Sequence, residues 1–223
     1  MPRERYQDSL DELRSDVLAM GDQVVEQFER SLEAVEHRDE SLARSVAEGD
    51  DAVNETYLRL EDRCVDLFAL QQPVAGDLRF VTASFKITTD LERIGDLAVH
   101  LADYLRTASR TLSPEVQLDA IGEAARSLVE RSLAAYEAED AAACRAVAAD
   151  DDEVDALCQR ASESVTRDLI AGSDGDGWEV ERLLDDVSRV LLTIRDLERV
   201  ADHAVNIAAR TLYMIEGDPE LLY

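Results

Sequence analysis

The sequence predicts an all-α protein built as two tandem three-helix bundles related by internal duplication. Three observations carry that expectation. Only four prolines and nine glycines punctuate 223 residues. The segments between them repeat apolar side chains at intervals of three and four, as a helix with one buried face requires, and no alternating strand pattern competes. Two phrases occur twice, in the same order. With 46% hydrophobic residues the chain carries enough apolar surface for a core.

The first helix is expected over about Tyr6 to His37, where Leu10, Leu13, Val17, Met20, Val24, Phe28 and Leu32 form one stripe. A second runs from about Glu40 to Gln71 through Leu42, Val46, Val53, Tyr57 and Leu60. Pro73 ends it, because proline lacks the N–H and disfavours helix in the residue before it. The third covers about Val74 to Arg110. Ser113-Pro114-Glu115 reads as a restart, with serine as cap, proline at the first helical position and an acid in the first turn. A fourth helix is therefore expected from about Pro114 to Glu139, and a fifth from about Ala141 to Ala171. The glycine-rich stretch from Gly172 to Gly177 has neither a preceding strand nor the GxxxxGKS/T pattern of a phosphate loop, so it reads as a helix-to-helix connection. Asp176 and Glu179 have capping-box spacing for a sixth helix, which stops at Gly217 with Pro219 just beyond.

The duplication is visible residue by residue. DLERIGDLAVH from Asp90 to His100 aligns with DLERVADHAVN from Asp196 to Asn206, an offset of 106 residues. Upstream, Asp39 to Asn54 aligns with Asp140 to Asp155 at an offset of 101. The unequal offsets place a length difference in the intervening loops. The expected domains are residues 1–111 and 112–223.

Charge narrows the function. Lys+Arg 23 against Asp+Glu 50 gives a formal net charge of -27, and Lys86 is the only lysine. A duplex phosphate backbone is repelled by such a surface. With aromatics at 5% and a single Trp178, a stacking platform for single strands is missing too. Direct nucleic-acid binding is excluded on these grounds. The acids are spread along the chain, which fits adaptation to concentrated salt and a halophilic archaeal source. Cys64, Cys144 and Cys158 have no CxxC spacing and an odd number, so they read as small buried apolar residues. The charged start MPRERYQDSLDELRS lacks the apolar region of a signal peptide, and no apolar run approaches the roughly 18 residues of a spanning helix. A cytoplasmic protein without membrane insertion is expected.

At 100° per residue Glu92, Asp96 and His100 share one side of the third helix, opposite Ile87, Leu91, Ile94, Ala98, Leu101 and Leu105. The sixth helix repeats the layout, with Glu198, Asp202 and Asn206 against Leu197, Val200, Ala204 and Ile207. The acids are expected on the outer face of each bundle. Carboxylates one turn apart repel unless a cation sits between them, and oxygen clusters of this kind suit hard or borderline metals. Asp50 with Asn54, and Asp151 with Asp155, offer matching pairs on the second and fifth helices. One metal site per bundle is the expectation, with iron, zinc or magnesium, divalent or trivalent, as candidate ions. The competing reading is a solvated face: Arg93 can bridge Asp90 or Asp96, and Arg199 can bridge Asp196 or Asp202, with no metal. Repetition of the whole DLERxxD phrase favours a function over a solvated face.

These residues resemble the PhoU family of phosphate-signalling regulators. The resemblance rests on QQPVAGDLRFVTASFKITTDLERIGDLAVHLADY from Gln71, on the RDxxLA phrase at Arg38, and on LLTIRDLERVADHAVNIAARTLYMIEG from Leu191. It implies two tandem three-helix bundles with E(D)xxxD motifs that bind metal clusters on the bundle surface. It also implies a regulator of phosphate uptake and starvation signalling rather than an enzyme, contacting the ATPase subunit of a phosphate ABC transporter and, in bacteria, a sensor kinase. Residue by residue, the motif acids are Glu92, Asp96, Glu198 and Asp202, with Asp50 and Asp151 on the preceding helices. The chain departs from the family pattern at His100, where the family more often has the asparagine seen at Asn206.

Two other classes compete. A ferritin-like di-metal protein needs Glu-x-x-His pairs aimed into a bundle core, and the chain has no ExxH. A helical interaction scaffold shares the fold without binding metal. A homodimer is expected through Leu78, Val81 and Phe85, read as exposed apolar positions on the acid-bearing side of the third helix.

Overall fold

The computed structural model describes residues 2–70, 75–107, 116–171 and 177–221. Six helices follow in order: α1 (Pro2–His37), α2 (Glu40–Leu70), α3 (Ala75–Thr107), α4 (Leu118–Ala138), α5 (Ala141–Ala171) and α6 (Gly177–Glu216). There is no strand among the described residues. None of these helices is long and apolar enough to cross a membrane.

The stripes read from the sequence are the buried faces. In α1, Leu13, Val17, Met20 and Val24 are fully buried, as are Ile87, Leu91, Ile94 and Ala98 in α3 and Val200, Ala204 and Ile207 in α6. Cys64, Cys144 and Cys158 are free thiols in this interior. Burial pushes the Cys64 and Cys158 thiols up to about 12 and that of Cys144 to about 11.

The turns between α1 and α2 and between α4 and α5 repeat one design. Arg38 and Glu139 both take the left-handed conformation, with φ of 51° and 50°. Each is followed by an aspartate that caps the next helix. Asp39 Oδ1 accepts the N–H groups of Ser41 and Leu42, and Asp140 Oδ1 those of Ala142 and Ala143, at 2.9–3.0 Å.

The fourth helix begins later than expected. The proposed Ser113-Pro114-Glu115 restart lies outside the described residues, but Val116 and Gln117 are not helical. The Leu118 N–H donates to Val116 O at 2.8 Å. This tight turn buries both Val116 and Leu118, so the regular helix starts only after it. The expected break at Pro73, the loop from 172 to 176 with its Asp176 cap, the 111/112 boundary and the Leu105 side chain also lie outside the described residues.

Helices α1, α2 and α3 pack on one another, and so do α4, α5 and α6. Among the described residues the two groups meet where α3 packs on α6 and α1 on α4, and Tyr136 of α4 also reaches α3, its hydroxyl 2.7 Å from Ser84 Oγ; one continuous apolar core runs through both. The α1–α4 crossing is held close by two glycines. A Cβ on Gly21 would fall 2.7 Å from Leu133 Cδ1, and one on Gly122 would fall 2.5 Å from Leu32 Cδ2. Both pairs are related by the same offset of 101, so each half inserts one leucine into the other's glycine notch.

The apolar patch expected on α3 is not there. Leu78 is 44% exposed, but Val81 is fully buried and Phe85 packs against the core. Because α3 is covered by α1, α2 and α6 together, positions off its main stripe are buried as well.

Candidate metal centres

The first carboxylate group forms where α2 packs on α3. Gly95 allows the close approach: a Cβ there would lie 3.3 Å from Val53 Cγ1, 3.3 Å from Gln27 Oε1 and 3.7 Å from Asp50 Oδ1. Asp50 is held from two sides. Asn54 Nδ2 donates to its Oδ2 at 2.8 Å, and Gln27 Nε2, from α1, donates to its Oδ1 at 3.3 Å. Glu92 and Asp96 face the same seam from α3, and Arg93 bridges them at 3.3 and 3.1 Å. Burial, then the neighbouring Asp96 charge, raises the Glu92 carboxyl above its ordinary value; Arg93 opposes the rise and Asp50 adds to it.

Glu92 is not on a free outer face, as the helical period alone suggested, whereas Asp96, Glu198 and Asp202 are more exposed. Only 17% of the Glu92 side chain is exposed. Glu92 lies in a helix–helix seam, within reach of the Asp50 charge on α2 and of His203 on α6, with Asp96 one turn further along α3 at its more exposed edge.

The second group joins Asp151 and Asp155 on α5 to Glu198 and Asp202 on α6. Burial, then the charges of Asp155, Asp202, Asp152 and Glu198, pushes the Asp151 carboxyl up to about 6. Burial and then Asp155 raise Glu198 and Asp202 as well. Asp151 Oδ1 is buried without a hydrogen-bond partner. Asn206 lies half-buried, one turn beyond Asp202 on α6.

His100 is engaged elsewhere. Its side chain is 55% exposed and its Nδ1 stands 3.8 Å from Asp196 Oδ2, across the α3–α6 contact. Asp196 and its repeat equivalent Asp90 are the two acids that spacing left in a minor role, and both are almost fully buried. Asp90 Oδ1 lies 3.0 Å from His203 Nδ1, and Arg210 Nε donates to Asp90 Oδ2 at 3.0 Å. Arg199 stands 3.7 Å from Asp196, as the solvated-face reading allowed, and a hydrogen bond from Tyr104 reaches the same carboxylate. Tyr104 and Arg210 are equivalents at the 106 offset. The first aspartate of each DLER phrase therefore clamps the two halves together, and its place at the head of a repeated phrase was the available signal.

Among the described residues no three His, Cys, Asp or Glu side chains converge closely enough, as they stand, to hold a metal ion. The donor chemistry nonetheless fits one. Like charges spread apart until a cation draws them in, and of the four buried side-chain oxygens without a hydrogen-bond partner among the described residues, Gln27 Oε1 and Asp151 Oδ1 belong to the two seams, while Tyr6 Oη and Asp196 Oδ2 lie elsewhere. All-oxygen sets suit hard cations such as magnesium or ferric iron better than zinc, which favours imidazole and thiolate.

Duplicated helical bundles, each with a carboxylate seam, define a class of tandem-repeat all-α proteins without an ExxH di-metal core. Within that class, the PhoU domain model matches the chain twice, over residues 17–105 and 118–211. The chain belongs to the PhoU family. It is 31% identical over 220 residues to a phosphate-specific transport system accessory protein PhoU homolog of Clostridium acetobutylicum, covering 97% of each. A homolog of the same name from Methanothermobacter thermautotrophicus is 29% identical, over 96% of this chain and 95% of that protein. The crystal structure of PhoU from Pseudomonas aeruginosa superposes with a TM-score of 0.87 at 30% identity, covering 96% of this chain and all of that one. That of the phosphate transport system regulatory protein PhoU from Streptococcus pneumoniae gives 0.86 at 27% identity, over 96% and 98%. These relatives are accessory and regulatory proteins, not enzymes.

Proposed function

We propose that this chain is a cytoplasmic negative regulator of phosphate uptake that acts as a metal-binding adaptor on a phosphate transporter. Membership of the PhoU family, with relatives named for the phosphate-specific transport system, supports the transport role. The observation that carries the metal-binding part is the second seam, where burial and then neighbouring carboxylate charges raise Asp151, Glu198 and Asp202, and Asp151 Oδ1 is buried without a partner. A bound cation neutralises this seam, and the balanced surface then meets the transporter's ATPase subunit. A sensor kinase is the second-ranked partner.

Elemental analysis of protein purified in high salt, without chelator or affinity-column metal, tests the metal part. Stoichiometric metal that disappears in Glu92→Ala/Glu198→Ala supports it. The adaptor part is tested by pull-down with the ATPase subunit across phosphate and salt conditions, where uniformly negative results count against it. A metal-free scaffold is the second reading, favoured by the bridging of Glu92 and Asp96 by Arg93. Alanine at Glu92, Asp96, Glu198 and Asp202 that leaves both metal content and phosphate regulation unchanged would select it.

A further inference from the structure

The two seams are built from the same repeat but are not the same site. At the 101 offset, Asp50 matches Asp151, Asn54 matches Asp155, and Gln27 matches Leu128. At the 106 offset, Gly95 matches Ala201. The first seam thus combines three carboxylates with a polar side chain from α1 and a glycine that makes room beside it. The second combines four carboxylates with a leucine and an alanine at the corresponding places.

Gln27 is the feature without an explanation in packing. It is 6% exposed, in the interior between α1, α2 and α3. Its Nε2 donates to Asp50 Oδ1 and to Val46 O, at 3.3 and 3.4 Å. Both partners are acceptors, which fixes the amide orientation and leaves the oxygen on the Gly95 side. That oxygen is buried and accepts nothing. A Cβ at Gly95 would press on it, so the glycine keeps a space beside an uncompensated hard donor, one residue before Asp96.

We propose that Gln27 is part of the first metal site, with Oε1 as a neutral oxygen ligand supplied by α1 and Nε2 positioning Asp50. The proposal rests on the reading that the seams bind metal. Two consequences follow from the donor sets. The first site joins three carboxylates to the amide oxygens of Gln27 and Asn54, and it suits a divalent cation. The second, with four carboxylates, carries more charge and suits a cation of higher charge. A protein with both sites intact therefore holds two different classes of metal position.

Manganese(II) is the probe, added to chelator-stripped full-length protein in high salt. Binding is read by equilibrium dialysis with elemental analysis and by the electron paramagnetic resonance of the bound ion. Glu198→Ala/Asp202→Ala leaves only the first site, and Glu92→Ala/Asp96→Ala leaves only the second. In the first background, Gln27→Leu, which copies the second half, is expected to weaken binding by about tenfold or more. Gln27→Glu, which keeps an oxygen, is expected to restore it. In the second background Gln27→Leu is expected to change nothing. Gln27→Met, unbranched like glutamine but lacking the amide, repeats the test should leucine disturb the fold, with circular dichroism as the check. Unchanged manganese binding by Gln27→Leu and Gln27→Met at the first site overturns the proposal while leaving the metal reading intact. So does an equal loss at both sites. Absence of manganese from the unsubstituted protein and both backgrounds overturns the metal reading, and this proposal with it.

Discussion

Removing the charge of Asp151 is expected to stabilise the metal-free protein, although it deletes a residue at the centre of the proposed site. Its carboxyl is pushed from the ordinary 3.8 to about 6 by burial and then by Asp155, Asp202, Asp152 and Glu198. A rise of that size corresponds to at most about 3 kcal/mol, and solvent at this partly exposed seam reduces it to about 1–2 kcal/mol. The sign follows from proton linkage. The folded state holds this proton more tightly than the unfolded chain, so the destabilisation is absent below about pH 4, grows as pH rises towards 6, and is full above that. Asp151→Asn keeps the shape and removes the charge. In urea titrations with chelator at fixed salt, it is expected to gain about 1–2 kcal/mol at pH 7.5 and little or nothing at pH 4. A variant no more stable than the parent at pH 7.5, or one whose gain persists at pH 4, would refute the account in which burial and then the neighbouring charges raise this carboxyl. With saturating metal the order of stabilities is expected to reverse, because the ion stabilises the folded state in proportion to its affinity.

At the α1–α4 crossing, Gly122→Ala sets a helix-propensity gain of about 1 kcal/mol against overpacking of about 1–3 kcal/mol on Leu32. Denaturant titration is expected to show a net loss that largely disappears in the Leu32→Ala background. Asp90→Ala leaves Arg210 and His203 facing a buried gap and is expected to cost about 2–4 kcal/mol, measured as a fall in thermal midpoint; adding Arg210→Leu should recover part of it. The three thiols are buried and their pKa values lie at about 11 to 12. An aromatic disulfide reagent at pH 8 should therefore label none in the native protein and all three after unfolding.

Much of the fold was legible because amphipathic period and punctuation are local properties of the chain. The stripe from Leu10 to Phe28 and that from Ile87 to Leu101 are buried as read. The reading went wrong where burial depends on how many neighbours a helix has. A helical wheel assigns α3 one covered side, but three helices pack on it, which buries Val81 and draws Glu92 into a seam. The start of α4 was missed for a related reason: the turn at Val116 exists to place two apolar side chains in the core, which cap chemistry does not express. At the site, spacing paired Asp50 with Asn54 and Asp151 with Asp155. It had no means of finding Gln27, whose role depends on α1 meeting α2 and α3 beside Gly95.

The repeat explains why both seams exist, and its exceptions explain how they differ. Where the halves meet through α1 and α4, equivalents match in kind: glycine with glycine and leucine with leucine, since a change on one side would clash with or abandon the other. Where they meet through α3 and α6, the aspartates match but their partners do not. Asp90 holds His203 and Arg210, whereas Asp196 meets Tyr104 and, at 3.8 Å, His100. The repeat equivalent of His203 is Leu97, so a histidine at this position stands in one half only, 3.0 Å from Asp90 Oδ1. The apolar crossing fixes the geometry of the two halves, and the polar crossing is where they are electrostatically distinct. The proposed response to bound metal calls on both properties: a frame that does not yield, and two seams that differ in charge.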